Sequence, residues 1–333
     1  MGVDISGLVE GKEIELKELA GKRVAIDAFN TLYQFLAIIR QPDGTPLMDG
    51  EGRVTSHLSG LFYRTSKLIE FGILPSFVFD GKPPKLKAGT IIARGRIKKK
   101  ARRQWQDAIE KKDMVAAKKY AQATSKLDST MIQASKDLLD ALGIPWVQAP
   151  SEGESQAAWM CKEKDVYAVG SQDFDSLLFG APRFIRNITI TGKRKVPNKS
   201  YYYELKPIIT ELQDVLETID VTREQLVEIG LMVGTDFNPG IKGFGPKKAL
   251  KAVKEGTWAE HEFGVDPKEV KEIFLKPNIT KDYELKWGEP DLDKLLEILH
   301  EKHDFSKDRV EHVYEKLEKA GRAKNQSSLE QWG

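Results

Sequence analysis

Between Pro150 and Gly180 the chain reads PSEGESQAAWMCKEKDVYAVGSQDFDSLLFG. Two carboxylate pairs, Glu152/Glu154 and Asp173/Asp175, flank an apolar run from Val166 to Gly170. One residue separates the members of each pair. Carboxylates this close repel, so a fold that gathers them must bring positive charge to the same place. A hard cation such as Mg²⁺ is the natural partner. The apolar run reads as a buried strand, with Ser171 to Asp175 as the loop at its carboxyl end. Ser151 to Lys164 reads as a helix, and Ser151 and Glu154 have the spacing of a capping box, a purely structural use for Glu154. Residues two apart on a helix point about 200° apart, so Glu152 and Glu154 share a metal only if Glu152 sits at or before the first turn.

Two more carboxylates end short apolar strands. Arg23 to Asp27 (RVAID) is followed by a helix, Ala28 to Ile39, and Ser76 to Phe79 (SFVF) leads to Asp80. Asp at the carboxyl ends of successive strands is the pattern that places ligands along one edge of an open α/β sheet. Taken singly, each is a turn or cap residue; the recurrence carries the argument. Gln41 to Gly52 is rich in Gly and Pro and reads as a loop, and Ser56 to Phe71 as a second helix.

The net charge of +2 says little, but its distribution says more. From Lys82 to Lys126 fifteen Lys and Arg stand against three acids, an electrostatic footprint for phosphates. The segment reads as a basic helical rod, Lys85 to Ala123, with a narrow apolar stripe of Ile97, Ala101, Trp105, Ala108 and Ile109. Lys87 and Arg94 share its face, and Gly89 and Gly95 weaken it, as suits an element that orders on binding. Asp128 to Leu142 is an amphipathic helix closed by Gly143. Arg183 to Leu205 reads as a β-hairpin on the sheet edge with a basic tip, Lys193 to Lys195.

Thr222 to Gly256 holds a second informative pattern. Thr222 and Gln225 form a capping box, Pro246 opens a second helix and Gly256 ends it. Between the helices lie Asp236 and the turn GIKGFG. Two helices around a Gly-rich hairpin expose backbone N–H groups to phosphate, and Lys242, Lys247 and Lys248 add charge. Beyond Trp258 the chain is charged and mostly helical, and residues 323–333 read as a polar tail, disordered alone.

One cysteine, Cys161, excludes an internal disulfide framework and points to a reducing compartment. No apolar run approaches transmembrane length, so no membrane partner is expected. Gly2 and Ser6 fit the myristoylation pattern only by chance.

VAIDAFN, FVFDGKPP, SEGESQAA, SQDFDSLLFG and GTDFNPGIKGFGPKKA, in that order, resemble the flap endonucleases, structure-specific 5′ nucleases of archaea and eukaryotes. The resemblance runs to about Gly256 and extends to the tail. It implies a PIN-like α/β fold: a mostly parallel central sheet flanked by helices, a helical arch and a helix–two-turn–helix DNA-binding element. Residues 1–256 would be the nuclease core, with an N-terminal part at 1–100, the arch at about 82–127, an internal part at 128–221 and the helix–two-turn–helix at 222–256. Residues 257–322 would form a helical C-terminal region and 323–333 a clamp-binding tail.

By the same resemblance Asp27, Asp80, Glu152 and Glu154 match a first metal set, and Asp173, Asp175 and Asp236 a second. Two Mg²⁺ ions are implied, with Mn²⁺ as a substitute and K⁺ in the Gly-rich hairpin. Lys87 and Arg94 match the arch cations, and Tyr33 an aromatic that stacks on substrate. DNA contacts are implied at Gly2, Arg40, Arg64, Glu152, Gly234 and Asp236. Gln326, Leu329 and Trp332 match a sliding-clamp motif, with Gly333 where a second aromatic is expected. The expected activity is two-metal hydrolysis of a 5′-flap duplex near its junction, with 5′-3′ exonuclease activity, by a monomer in Okazaki-fragment maturation and base-excision repair. The short tail points to an archaeal cytoplasm; a eukaryotic source would mean the nucleus. The rivals are a sister exonuclease or junction resolvase and a non-catalytic DNA-binding scaffold.

Overall fold

The computed structural model describes residues 2–190, 192–195 and 202–330, with 193–195, 202 and 322–330 described by backbone alone. Among them nine strands occur: β1 (Lys12–Glu13), β2 (Arg23–Asp27), β3 (Leu74–Phe79), β4 (Trp146–Gln148), β5 (Ala168–Gly170), β6 (Arg183–Arg186), β7 (Gly192–Lys195), β8 (Tyr202–Leu205) and β9 (Ile208–Glu211). Seven form one sheet in the order β1-β9-β6-β5-β2-β3-β4, and β7 pairs with β8 apart from it. The pairs from β4 to β6 are parallel, while β9 runs antiparallel to β6 and to β1. The expected hairpin is thus corrected. Arg183–Arg186 is an interior strand of the main sheet, and the hairpin is the separate β7–β8 ribbon.

Val24 and Ile26 of β2 are fully buried and join one apolar core, with Phe77 and Phe79 of β3. Ala25 joins the other, with Val78, Val147 and Val169. This alternation is the two-residue period of a strand covered on both faces. Helices α1 (Ala28–Ile38), α2 (Ser56–Glu70), α3 (Ala88–Glu110), α4 (Met114–Gln122) and α5 (Ser129–Ala141) come first. Then follow α6 (Gly153–Lys162), α7 (Asp175–Leu178), α8 (Leu212–Ile219), α9 (Arg223–Val233), α10 (Pro246–Lys254) and α11 (Pro267–Leu275). A short α12 (Leu292–Leu295) and a long α13 (Lys307–Glu330) finish the chain. The cores divide these helices: α1, α2 and α5 pack with α13 on the Val24 side, and α6, α7, α9 and α11 on the Ala25 side.

The rod is the helical pair α3–α4. α3 runs unbroken through Gly89 and Gly95, and of the expected stripe Ala101 and Ala108 are buried while Ile97 is 55% exposed. Trp105 Nε1 donates to the Asp43 carbonyl at 3.2 Å, docking the rod on the 41–52 loop. Beyond Trp258 most of the described residues are helical, as expected, and only the tail needs correction. Residues 276–290 cross the molecule without helix, with Trp287 Nε1 donating to the Pro75 carbonyl at 2.6 Å. The last helix continues to Glu330 instead of giving way to an irregular tail.

Candidate active site

All seven candidate carboxylates stand at the carboxyl edge of the parallel strands or on the elements that follow it. Asp27 is the last residue of β2 and the N-cap of α1, accepting from the Asn30 N–H at 3.0 Å. Asp80 follows β3 directly. Glu152 is the N-cap residue of α6, and Glu154 lies in its first turn. Asp173 lies between β5 and α7, Asp175 opens α7, and Asp236 follows α9.

The expected Ser151–Glu154 capping box does not form. Asp80 Oδ1 instead accepts the Gly153 N–H at 2.6 Å, so the carboxylate that follows β3 serves the helix N-terminus. A Cβ at position 153 would stand 2.7 Å from that oxygen, which is why glycine is needed there. Glu152 therefore sits before the first turn, as the metal reading required, and Glu154 accepts from Ser171 Oγ at 2.8 Å. The Thr222–Gln225 box does form.

The N-terminus closes the site. The Val3 N–H donates to Asp175 Oδ1 at 2.7 Å, and a Cβ on Gly2 would fall 2.5 Å from the Asp175 carboxyl atoms. Any side chain at position 2 would displace that carboxylate. Behind it, the Arg223 guanidinium donates to the carbonyls of Leu178, Phe179 and Phe274, tying α9 to the end of α7.

Burial sets the electrostatics. It pushes the carboxyls of Asp27 and Glu154 well above their ordinary range, Asp27 further raised by Asp80, and Glu154 by Asp175, Asp27 and Asp173. Burial also pushes Asp175 up to about 7, assisted by Asp173 and Asp236 and opposed by the Val3 N–H. Asp80 and Glu152 rise for the same reason, with Lys87 opposing. The carboxylates thus act on one another as a single cluster.

The two rod cations reach it. Lys87 Nζ pairs with a Glu152 oxygen and stands 3.5 Å from Asp236 Oδ2. Arg94 Nη2 donates to Asp236 Oδ1 at 2.5 Å. Against the burial that would lower it, Glu152, Asp80 and Asp236 hold the Lys87 ammonium above its usual pKa. Among the described residues no three carboxylates converge on one point with metal-ligand geometry; these cations pair with Glu152 and Asp236. The donor set itself, all hard oxygen and crowded beyond what Lys87 and Arg94 neutralise, fits Mg²⁺.

The other candidates lie around the cluster. Tyr33, on α1, lies under Lys98 of α3, whose ammonium is 4.5 Å from the ring centroid. Arg40 donates to the carbonyls of Leu36 and Gly44 and to Ser125 Oγ, bracing the end of α1 against the loop and the foot of the rod. Arg64 is half-buried on α2. Gly234 ends α9 with φ +107°, a conformation that favours glycine. Lys242, Lys247 and Lys248 are exposed on the hairpin and the start of α10, and Lys248 Nζ donates to the Gly243 carbonyl at 3.3 Å. Trp332 and the side chains of Gln326 and Leu329 lie outside the described residues. Asn30 and Ser171 were not singled out from the sequence, although both contact cluster carboxylates.

Residues 5–101 match the XPG N-terminal domain and residues 143–236 the XPG I-region. These two spans contain all seven carboxylates, Lys87 and Arg94. Flap endonuclease 1 of Pyrococcus abyssi is 53% identical over 337 residues, covering 100% of this chain and 98% of its own. The enzyme of that name from Thermococcus onnurineus is 52% identical, covering 100% and 99%. The solved flap endonuclease-1 of Methanococcus jannaschii superposes with a TM-score of 0.78 at 40% identity, covering 97% of this chain and 100% of its own. With relatives at this identity along its full length, the chain belongs to the flap endonuclease family.

Proposed function

We propose that the carboxylate cluster is the centre of a divalent-metal-dependent 5′-flap endonuclease. The observation that carries this is the meeting of Lys87 and Arg94, from the rod, with carboxylates from the sheet edge and from the end of α9. Asp27, Asp80, Glu152 and Glu154 would hold one Mg²⁺, and Asp173, Asp175 and Asp236 a second; Mn²⁺ is a substitute. When bound, the metals supply an activated water and offset charge on the scissile phosphate.

The chain's own residues do the rest. Lys87 and Arg94 exchange their carboxylate partners for the phosphate and stabilise its developing charge. Tyr33 offers a ring face to a nucleobase at the junction. Gly2 admits the N-terminus against Asp175 without a side chain. Arg40, Arg64, Gly234 and the lysines 242, 247 and 248 hold the duplex backbone, with K⁺ in the Gly-rich hairpin, so binding is sequence-independent and salt-sensitive. Gln326, Leu329 and Trp332 engage a sliding clamp. The protein acts as a monomer in the cytoplasm, in the joining of lagging-strand fragments and in excision repair.

The test is cleavage of an end-labelled 5′-flap duplex in Mg²⁺ and in EDTA, by wild type and by Asp175→Ala. Junction cutting only by wild type in Mg²⁺ supports the reading. Binding without cleavage by wild type, in either condition, would leave a DNA-binding scaffold.

A further inference from the structure

Asn30 and Ser171 contact three of the seven carboxylates, Asp27 through a backbone N–H and Asp173 and Glu154 through their side chains; Ser176 Oγ adds a longer contact to Glu154 at 3.5 Å. Asn30 lies three residues after Asp27, one turn into α1, where positions i and i+3 share a face. Its backbone N–H donates to Asp27 Oδ1 at 3.0 Å, and its side-chain amide to Asp173 Oδ2 at 3.1 Å. Asp27 and Asp173 belong to different proposed metal sets, so one residue links the two. Ser171 follows β5, one step beyond the pairing of Ile26 with Gly170, and so faces the end of β2. Its hydroxyl donates its one proton to Glu154 Oε1 at 2.8 Å and accepts the Asp173 N–H at 3.2 Å.

The chemistry of these donors matters. A lysine or arginine in either place would fix a carboxylate and also cancel its charge. An amide and a hydroxyl fix it and leave the charge for a cation. Glu152 and Asp236 are instead met by Lys87 and Arg94. Asp27, Asp173 and Glu154 are thus oriented by neutral groups of the sheet edge, while Glu152 and Asp236 meet cations of the rod.

We infer that Asn30 and Ser171 are positioning residues that set the divalent-metal affinity of the centre, their side chains holding Asp173 and Glu154 in register with Asp27 across the β2–β5 pair. The inference rests on the reading of the cluster as a metal centre. Hydrogen-bonding partners behind a ligand typically change metal affinity by about 10- to 100-fold.

The experiment compares full-length wild type, Asn30→Leu, Ser171→Ala and Ser171→Thr. Mn²⁺ binding to the DNA-free protein is measured by calorimetry, the Mg²⁺ midpoint of flap cleavage by single-turnover kinetics, and folding by melting in EDTA. Asn30→Leu and Ser171→Ala should each bind Mn²⁺ about 10-fold more weakly and raise the Mg²⁺ midpoint by a similar factor, most of the rate returning at saturating Mg²⁺. Ser171→Thr keeps the hydroxyl and should restore the affinity. Wild-type Mn²⁺ affinity in cooperatively melting Asn30→Leu and Ser171→Ala overturns the inference, as does a cleavage defect that no Mg²⁺ concentration relieves. If one of the two fails to fold, the other decides. A wild-type protein that binds no Mn²⁺ would sink the metal-centre reading itself, a result distinct from unchanged variants.

Discussion

Arg94 Nη2 lies 2.5 Å from Asp236 Oδ1, joining the basic rod to the loop after α9 across 142 residues of chain. Lys87 makes the companion contact with Glu152. The rod is thereby latched to the carboxylates that its cations are proposed to leave for a phosphate. Lys87→Ala and Arg94→Ala should each slow single-turnover flap cleavage by about 10²- to 10³-fold, the usual cost of a lost charge-stabilising donor. Neither should weaken Mn²⁺ binding to the DNA-free protein, because each removes a competitor for a carboxylate. Calorimetry beside the kinetics checks both halves.

Asp175 sets function against stability. Its carboxyl is buried among like charges, with a pKa near 7. The folded value is raised, so its favourable contribution is present below the unfolded pKa of about 3.9 and is lost as pH rises towards 7. Above 7 the group is ionised in both states and the cost is at its largest. Asp175→Asn keeps an acceptor for the Val3 N–H and removes that charge. It should raise stability in EDTA at pH 8 by about 1–3 kcal/mol and by less at pH 5.5, while abolishing flap cleavage. Urea unfolding at the two pH values reads the difference.

His57 has the opposite sign and lies outside the cluster. It is 2% exposed on α2, and neither ring nitrogen has a hydrogen-bond partner among the described residues. Burial, with His303 adding to it, lowers its pKa to about 4. A depressed folded value gives stability that is present above the unfolded pKa, about 6.5, and lost as pH falls through 4. The wild type should therefore lose up to about 3 kcal/mol across that window through this residue. His57→Phe should flatten that part of the pH–stability curve whatever its effect at pH 7; an unchanged slope would contradict the assignment.

Lys242, Lys247 and Lys248 are exposed together at the α9–α10 hairpin. If they contact duplex phosphates, each alanine substitution reduces the slope of log affinity against log salt by about 1 and weakens binding equally for every flap sequence. Fluorescence anisotropy with flap DNA in Ca²⁺, across a salt series, checks this without cleavage.

How far the molecule was legible from its residues depends on the range of the interactions. Asp27 and Asp80 could be placed because an apolar run before an acid is a local signal, and the parallel sheet then brings such ends to one edge. Glu152 and Glu154 were ambiguous locally. The ambiguity was settled by Asp80, 73 residues from Gly153, taking the capping role that Ser151 seemed fit to play. Arg183–Arg186 reads as one arm of an edge hairpin because the nearest following strand is the local choice of partner; its partners are β5 and β9, and β9 lies beyond the β7–β8 ribbon. Asn30 and Ser171 sat inside recognised motifs, yet their roles depend on Asp173 and Glu154 arriving from other elements, which no spacing along the chain encodes. Arg40 had the residue type of a phosphate contact, and only the fold shows it bracing Gly44 and Ser125.

The central claim is that these seven carboxylates hold two divalent ions. Anomalous diffraction from crystals soaked in Mn²⁺ tests it most directly. The account predicts two peaks roughly 4 Å apart, one served by Asp27, Asp80, Glu152 and Glu154, the other by Asp173, Asp175 and Asp236. An ordered cluster with no peak, or Mn²⁺ bound only elsewhere on the molecule, would contradict it.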